Sequence, residues 1–140
     1  MGDRCYLQVI VANSDVPRFI ELVKGREHWS DVGVYQNYTA FEEHEANYAM
    51  YDELLSAAQE GCLFYGYHGS GDDYGPGEFF GADRTYSERQ CGHDGGYVVE
   101  TRNGDIKPEE VEALRTFLRD RANVKQRVAN PLYDLVRGIT

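Results

Sequence analysis

Residues 62–83 read CLFYGYHGSGDDYGPGEFFGAD, and the fold turns on how this stretch divides. Cys62 to His68 is an apolar, aromatic run of strand length, which reads as a buried strand. Phe79 to Ala82 reads as a second, shorter strand. Between them lie glycines, acids and Pro76, which favour tight turns over regular structure and mark a loop.

Working outward, RCYLQVIVA (residues 4–12) is rich in β-formers and predicts a strand. NSDVP follows it, with Ser14 or Asp15 placed to cap a helix that runs through Phe19, Ile20, Leu22 and Val23 and stops at Gly25. VGVYQNYTAFEEH (residues 32–44) alternates as one long strand. ANYAMYDELLSAAQEG (residues 46–61) has helical period, with Asn47 as cap and Gly61 as stop. Tyr48, Tyr51, Leu55 and Ala58 form its predicted inner face, widened by Met50 and Leu54. Downstream, Thr85 to Gln90 and Tyr97 to Thr101 predict short strands, and Asn103-Gly104 a turn. A last helix is expected from Pro108, with Val111, Leu114, Phe117, Leu118 and Ala122 on its inner side. The order predicts an α+β fold, a mostly antiparallel sheet with about three helices on one face, in one globular domain of residues 1–140. The tail at 130–140 is expected to pack back on the domain or to join a second copy as a homodimer.

Charge is distributed unevenly along the chain. The net charge is −10, yet Glu27 to Asp83 alone contributes −12: it holds twelve acids and neither lysine nor arginine. The same 57 residues carry twelve of the eighteen aromatics. The sign reverses near the C-terminus, where Arg115, Arg119, Arg121, Lys125, Arg127 and Arg137 face only Asp120 and Asp134. An acidic, tyrosine-rich middle repels nucleic acid and attracts the proteins that bind it, since carboxylates on a rigid fold can stand in for phosphates. The expected contact residues are Glu42, Glu43, Glu45, Asp52, Glu53, Asp72, Asp73 and Glu78, with Tyr65, Tyr67, His68, Tyr74 and Phe79 beside them.

The glycine loop invites other readings. Gly69-Ser70-Gly71 after a strand suggests a phosphate cradle, but Asp72 and Asp73 follow at once and no cation lies within the segment. Asp72, Asp73 and Glu78 are hard oxygen ligands without the spacing of a calcium loop. Cys62, His68, Cys91 and His93 have donor types that suit zinc, without a paired-ligand spacing. His28-Trp29-Ser30 and His68-Gly69-Ser70 resemble the two H-x-[ST] motifs of the 2H phosphoesterases, which implies a pair of proton-relaying histidines. These observations support an alternative reading, a small-ligand or metal-dependent protein centred on His68, His93 and the loop. The first reading expects no cofactor and no catalytic residue.

RCYLQV, EANYAMYDEL and FYGYHGSGDDYGPGEF resemble segments of small uncharacterised proteins of bacteria and their phages. In composition the chain is similar to phage-encoded inhibitors of host defence, such as anti-CRISPR and anti-restriction proteins. That resemblance implies a non-enzymatic inhibitor whose partner is a basic, nucleic-acid-binding complex. Three widely spaced cysteines imply no disulfide framework, and the start MGDRCY no secretory leader or myristoylation signal, so the expected location is the cytoplasm. No membrane contact is expected, because no apolar stretch is long enough to span a bilayer.

Overall fold

The computed structural model describes residues 3–23, 30–92, 94 and 96–130. The two strands of the 62–83 stretch are β4 (Phe64–His68) and β5 (Gly77–Ala82), and they pair antiparallel. Their register sets Phe64 opposite Gly81, Gly66 opposite Phe79 and His68 opposite Gly77. On that face each ring lies across a glycine of its neighbour: a Cβ at Gly66 would stand 2.6 Å from the Phe79 ring, and one at Gly77 2.8 Å from His68 Nε2. The glycines here serve close approach within a sheet.

Around this pair the sheet grows to six strands. With β1 (Arg4–Ala12), β2 (Ser30–Val34), β3 (Tyr38–Asn47) and β6 (Thr85–Gln90), the order is β2-β3-β1-β4-β5-β6, and every pairing is antiparallel. A two-stranded ribbon, β7 (Thr101–Arg102) and β8 (Asp105–Ile106), turns at Asn103-Gly104, both at positive φ. Three helices complete the α+β fold: α1 (Val16–Leu22), α2 (Tyr51–Gln59) and α3 (Pro108–Ala129).

The helices do not share one face, as the sequence led us to expect. Leu7, Val9, Val11, Phe41, Phe64 and Phe79 point toward α1 and α2, where Phe19, Leu54, Ala57 and Ala58 complete the larger core. Ala12, Phe80 and Ala82 point the other way and meet Phe117, Val124 and Val128 of α3. Consecutive strand residues project to opposite faces, so the buried pair Phe79-Phe80 requires cover on both sides.

Three other expectations are corrected. The strand expected over 32–44 is two strands, because Asn13 stitches a turn into it: its side-chain amide donates to the Tyr35 carbonyl at 2.8 Å and to that of Gln36 at 3.1 Å. The α2 helix begins at Tyr51 rather than beside Asn47, because Tyr48, Ala49 and Met50 all adopt positive φ, and Tyr48 and Tyr51 consequently face solvent. On α3 the inner stripe is Phe117, Val124 and Val128, with Arg121 between them, so Val111, Leu118 and Ala122 lie outside. The helix stop at Gly25 and the tail beyond Asn130 lie outside the described residues. Among the described residues no helix is long and apolar enough to cross a membrane.

Candidate functional site

The loop between β4 and β5 does hold an anion, but it is one of the chain's own. Asp3, 7% exposed, aims its carboxylate into the loop, where the backbone N–H of Asp72 donates to Oδ1 at 2.5 Å and that of Asp73 to Oδ2 at 2.7 Å. The Tyr74 hydroxyl donates to the Asp3 carbonyl at 3.1 Å, and the Gly71 N–H to the Tyr74 carbonyl at 3.0 Å. A Cβ at Gly71 would approach Asp3 Oδ1 to 2.3 Å, so this glycine makes room for the carboxylate. The amides that suggested a phosphate cradle are thereby occupied. Asp3 sits 69 residues from Asp72 in sequence, and nothing local singled it out.

Beside this loop stands His68, 3% exposed at the end of β4. Its Nδ1–H donates to the Gly69 carbonyl at 2.8 Å, and Nε2 reaches over Gly77 to Glu88 Oε2 on β6 at 3.3 Å. The other carboxylate oxygen, Oε1, accepts the Tyr86 hydroxyl at 2.8 Å. An imidazole that donates from both nitrogens is a cation. Burial opposes that charge, but the hydrogen bonds that the ring donates to Glu88 and to the Gly69 carbonyl outweigh it and raise the His68 pKa above the ordinary 6.5. Burial likewise opposes the Glu88 charge, while His68 and Tyr86 overcome it and hold the carboxyl below 4.5.

The signs define a pH window. The raised histidine stabilises the fold fully below pH 6.5 and loses that contribution as pH rises through its folded value. The depressed glutamate stabilises above pH 4.5 and loses its contribution as pH falls through its own folded value. The pair therefore contributes most between these limits. The His68 ring resonances, followed by NMR, are expected to titrate above 6.5 in the native chain and at a lower pH in Glu88→Gln, where only the Gly69 carbonyl still opposes burial. Identical midpoints in the two proteins would remove Glu88 as the cause.

His68 and Glu88 form the base of a cleft of about 530 Å³. Asp73 and Tyr74 of the loop, Tyr48 and Tyr51, and Gln90 of β6 also line it. Tyr48 and Tyr51 are 55% and 46% exposed. The Tyr51 ring meets Tyr86 edge-on at 5.5 Å, and Tyr74 meets His68 edge-on at 5.7 Å. The wall at Tyr48 is built under strain, since three successive residues with φ of 51°, 54° and 54° each cost about 1–2 kcal/mol. Strain of this kind persists where the surroundings enforce it, and it is concentrated at working sites. Here the Tyr48 N–H donates to the Asp3 carbonyl at 2.6 Å, tying the turn to the loop anchor. Sequence reading had found His68, Asp73 and Tyr74 but missed Asp3, Glu88, Tyr86 and Gln90.

The remaining expected contact residues separate in space. Phe79 is fully buried and cannot meet a partner, because its ring fills the core over Gly66. Tyr65 and Glu78 face α3: Arg121 and Lys125 lie over the Tyr65 ring at 5.4 and 5.7 Å, and Arg121 Nη1 stands 3.9 Å from Glu78, which also accepts the Tyr97 hydroxyl. Asp83 pairs with Arg127 at 3.1 Å. The basic C-terminal helix thus neutralises part of the acidic middle segment within the chain itself. Glu42 accepts the Tyr6 hydroxyl at 3.0 Å and stands 3.2 Å from His44. Glu43 turns back on the Glu45 N–H at 3.0 Å. Tyr67, Glu45, Asp52 and Asp72 are exposed, and Glu53 is partly so.

Among the described residues no three histidine, cysteine, aspartate or glutamate side chains are grouped to hold a metal. Cys62 lies in the larger core, where burial pushes its thiol up to about 11, whereas Cys91 bridges to Tyr97 beyond β6. Asp72 and Asp73 belong to the loop, and Glu78 faces α3, so these oxygen ligands are not grouped. His93 and His28 lie outside the described residues. Comparison of the chain with protein-family models, curated proteins and solved structures finds no match.

Proposed function

We propose that this protein works by binding rather than by catalysis. It presents carboxylates and tyrosines to a basic partner, for which the nucleic-acid groove of a host-defence complex is the fitting class. One observation carries this reading. The arginines of α3 neutralise Glu78 and Asp83 on their side of the sheet, while Glu43, Glu45, Asp52, Glu53, Asp72 and Asp73 pair with no lysine or arginine among the described residues. A display of unneutralised acids with exposed Tyr48 and Tyr51 near Asp73 supplies long-range attraction together with anchors that gain on desolvation.

The test compares the native chain with the triple reversal Glu43→Lys, Asp52→Lys, Asp72→Lys as bait in a host extract. The native chain is expected to retain basic nucleic-acid-binding proteins, to lose them to competing DNA, and to bind about tenfold more weakly as salt rises from about 50 to about 500 mM. The reversal is expected to retain none. Capture that ignores salt, DNA and reversal would sink the reading.

A second reading has its own support in the 530 Å³ cleft lined by a histidine–glutamate pair 3.3 Å apart. A small molecule held there would be displaced on denaturation and appear in native mass spectra of the purified chain, and it would be absent from Glu88→Gln.

A further inference from the structure

The molecule already shows how it houses an arginine. Arg121 of α3 is 13% exposed, lies over the face of Tyr65 at 5.4 Å and donates from Nη2 to the Gly66 carbonyl at 3.0 Å. A carboxylate completes the setting, Glu78, shared with a tyrosine hydroxyl from Tyr97. A ring face, a carboxylate braced by a phenol and a neutral acceptor together replace part of the water that the guanidinium loses, while its Nε is buried without a hydrogen-bond partner.

The same parts recur on the opposite face of the sheet. There Glu88 is the braced carboxylate, with Oε1 taken by the Tyr86 hydroxyl and Oε2 facing His68 at 3.3 Å, the rings are Tyr51, Tyr74 and Tyr48, and the neutral acceptor is Gln90. Asp73 adds a second carboxylate at the cleft. Among the described residues lining it there is neither lysine nor arginine. With His68 protonated, Asp73 and Glu88 against one imidazolium leave the cleft with a net negative charge.

We propose that this cleft receives the guanidinium of an arginine side chain from the basic partner. The inference rests on the binding reading given above and names the group recognised. Arginine fits better than lysine for geometric reasons. Its plane stacks on a tyrosine ring while its fork addresses a carboxylate, and it gives up hydration more readily than a compact ammonium. The strained turn at Tyr48–Met50 has a use in this arrangement, since it carries one ring to the mouth of the cleft.

The test is an NMR titration of the full chain with N-acetyl-arginine amide, set against the citrulline analogue, which has nearly the same shape without the charge, and the lysine analogue. Saturable shifts are expected at residues 48–51, 73–74 and 86–90 with the arginine probe, weaker ones with lysine and none with citrulline. Tyr51→Ala and Asp73→Asn alter half-exposed or exposed side chains, so both should fold, and each should weaken the arginine probe about fivefold. Absent shifts, shifts shared equally by citrulline, or full affinity in both variants would overturn the inference. If the probe fails while capture of basic proteins remains sensitive to salt and reversal, the cleft assignment falls alone. Probe binding without any such capture would leave a guanidinium receptor and remove the partner reading.

Discussion

Replacing Gly66 by alanine is expected to destabilise the fold by about 3–5 kcal/mol, near the upper end for a single added methyl group. Gly66 lies in the middle of β4, between Val9 of β1 and Phe79 of β5. An added Cβ would stand 2.1 Å from the Gln8 carbonyl oxygen and 2.6 Å from the Phe79 ring. Neither neighbour can give way cheaply. The first is backbone of a central strand, and the second is a fully buried ring among Phe64, Tyr86 and His68. Gly61 provides the control, because a Cβ there meets nothing within 4 Å and the only cost is its φ of 93°. Gly61→Ala should therefore cost about 1–2 kcal/mol. Denaturant midpoints of the two variants decide the matter, and equal losses would show that ring-over-glycine packing contributes nothing.

That packing marks where the sequence stopped being readable. The strands themselves were legible, because β-forming runs bounded by turn residues sit at 4–12, 64–68 and 85–90, and Pro108 opens α3 where its fixed φ suits a first turn. The alternation Phe64-x-Gly66-x-His68 against Gly77-x-Phe79-x-Gly81 becomes a pattern only once the register is known. Long-range hydrogen bonds were equally hidden. Asn13 divides the strand expected at 32–44 from 22 residues away, and a local alternation cannot reveal it. The side of the sheet that α3 takes was half visible in Phe79-Phe80, whose adjacency demands cover on two faces.

The site was legible in its charges and obscure in its partners. The cation-free acidic segment is a real asymmetry, but its sequence neighbours are not its spatial neighbours. Arg121 and Arg127 return from a distant helix to Glu78 and Asp83, so those two acids belong to the fold. His68 stood out as a rare residue next to glycines, while the glutamate that makes it a cation lies twenty residues on, in a strand whose sequence reads as ordinary. Tyr48 and Tyr51 were assigned inward by helical period, and three left-handed residues in succession shift the phase and turn them to the cleft.

Asp3→Ala tests the glycine loop most severely. The Asp3 carboxylate accepts two backbone N–H groups in a buried position, and removing it leaves both unpaired, at an expected loss of about 3–4 kcal/mol. Asp3→Asn should recover roughly half of that, because its amide oxygen serves one N–H while its NH₂ group opposes the other. Hydrogen exchange at Asp72 and Asp73 is expected to rise about a hundredfold in the alanine variant. Since Asp73 and Tyr74 border the cleft, recognition of the arginine probe should fall with it. The vacated amides define a further measurement. Formate, a free carboxylate small enough for the space left by the side chain, should raise the melting temperature of Asp3→Ala above that in chloride of equal ionic strength and leave the native chain unchanged. Rescue would establish that the glycine loop is an anion cradle satisfied from within. Unchanged amide exchange in Asp3→Ala would show that the carboxylate does not organise the loop, and the cleft would then owe its shape to the strained turn alone.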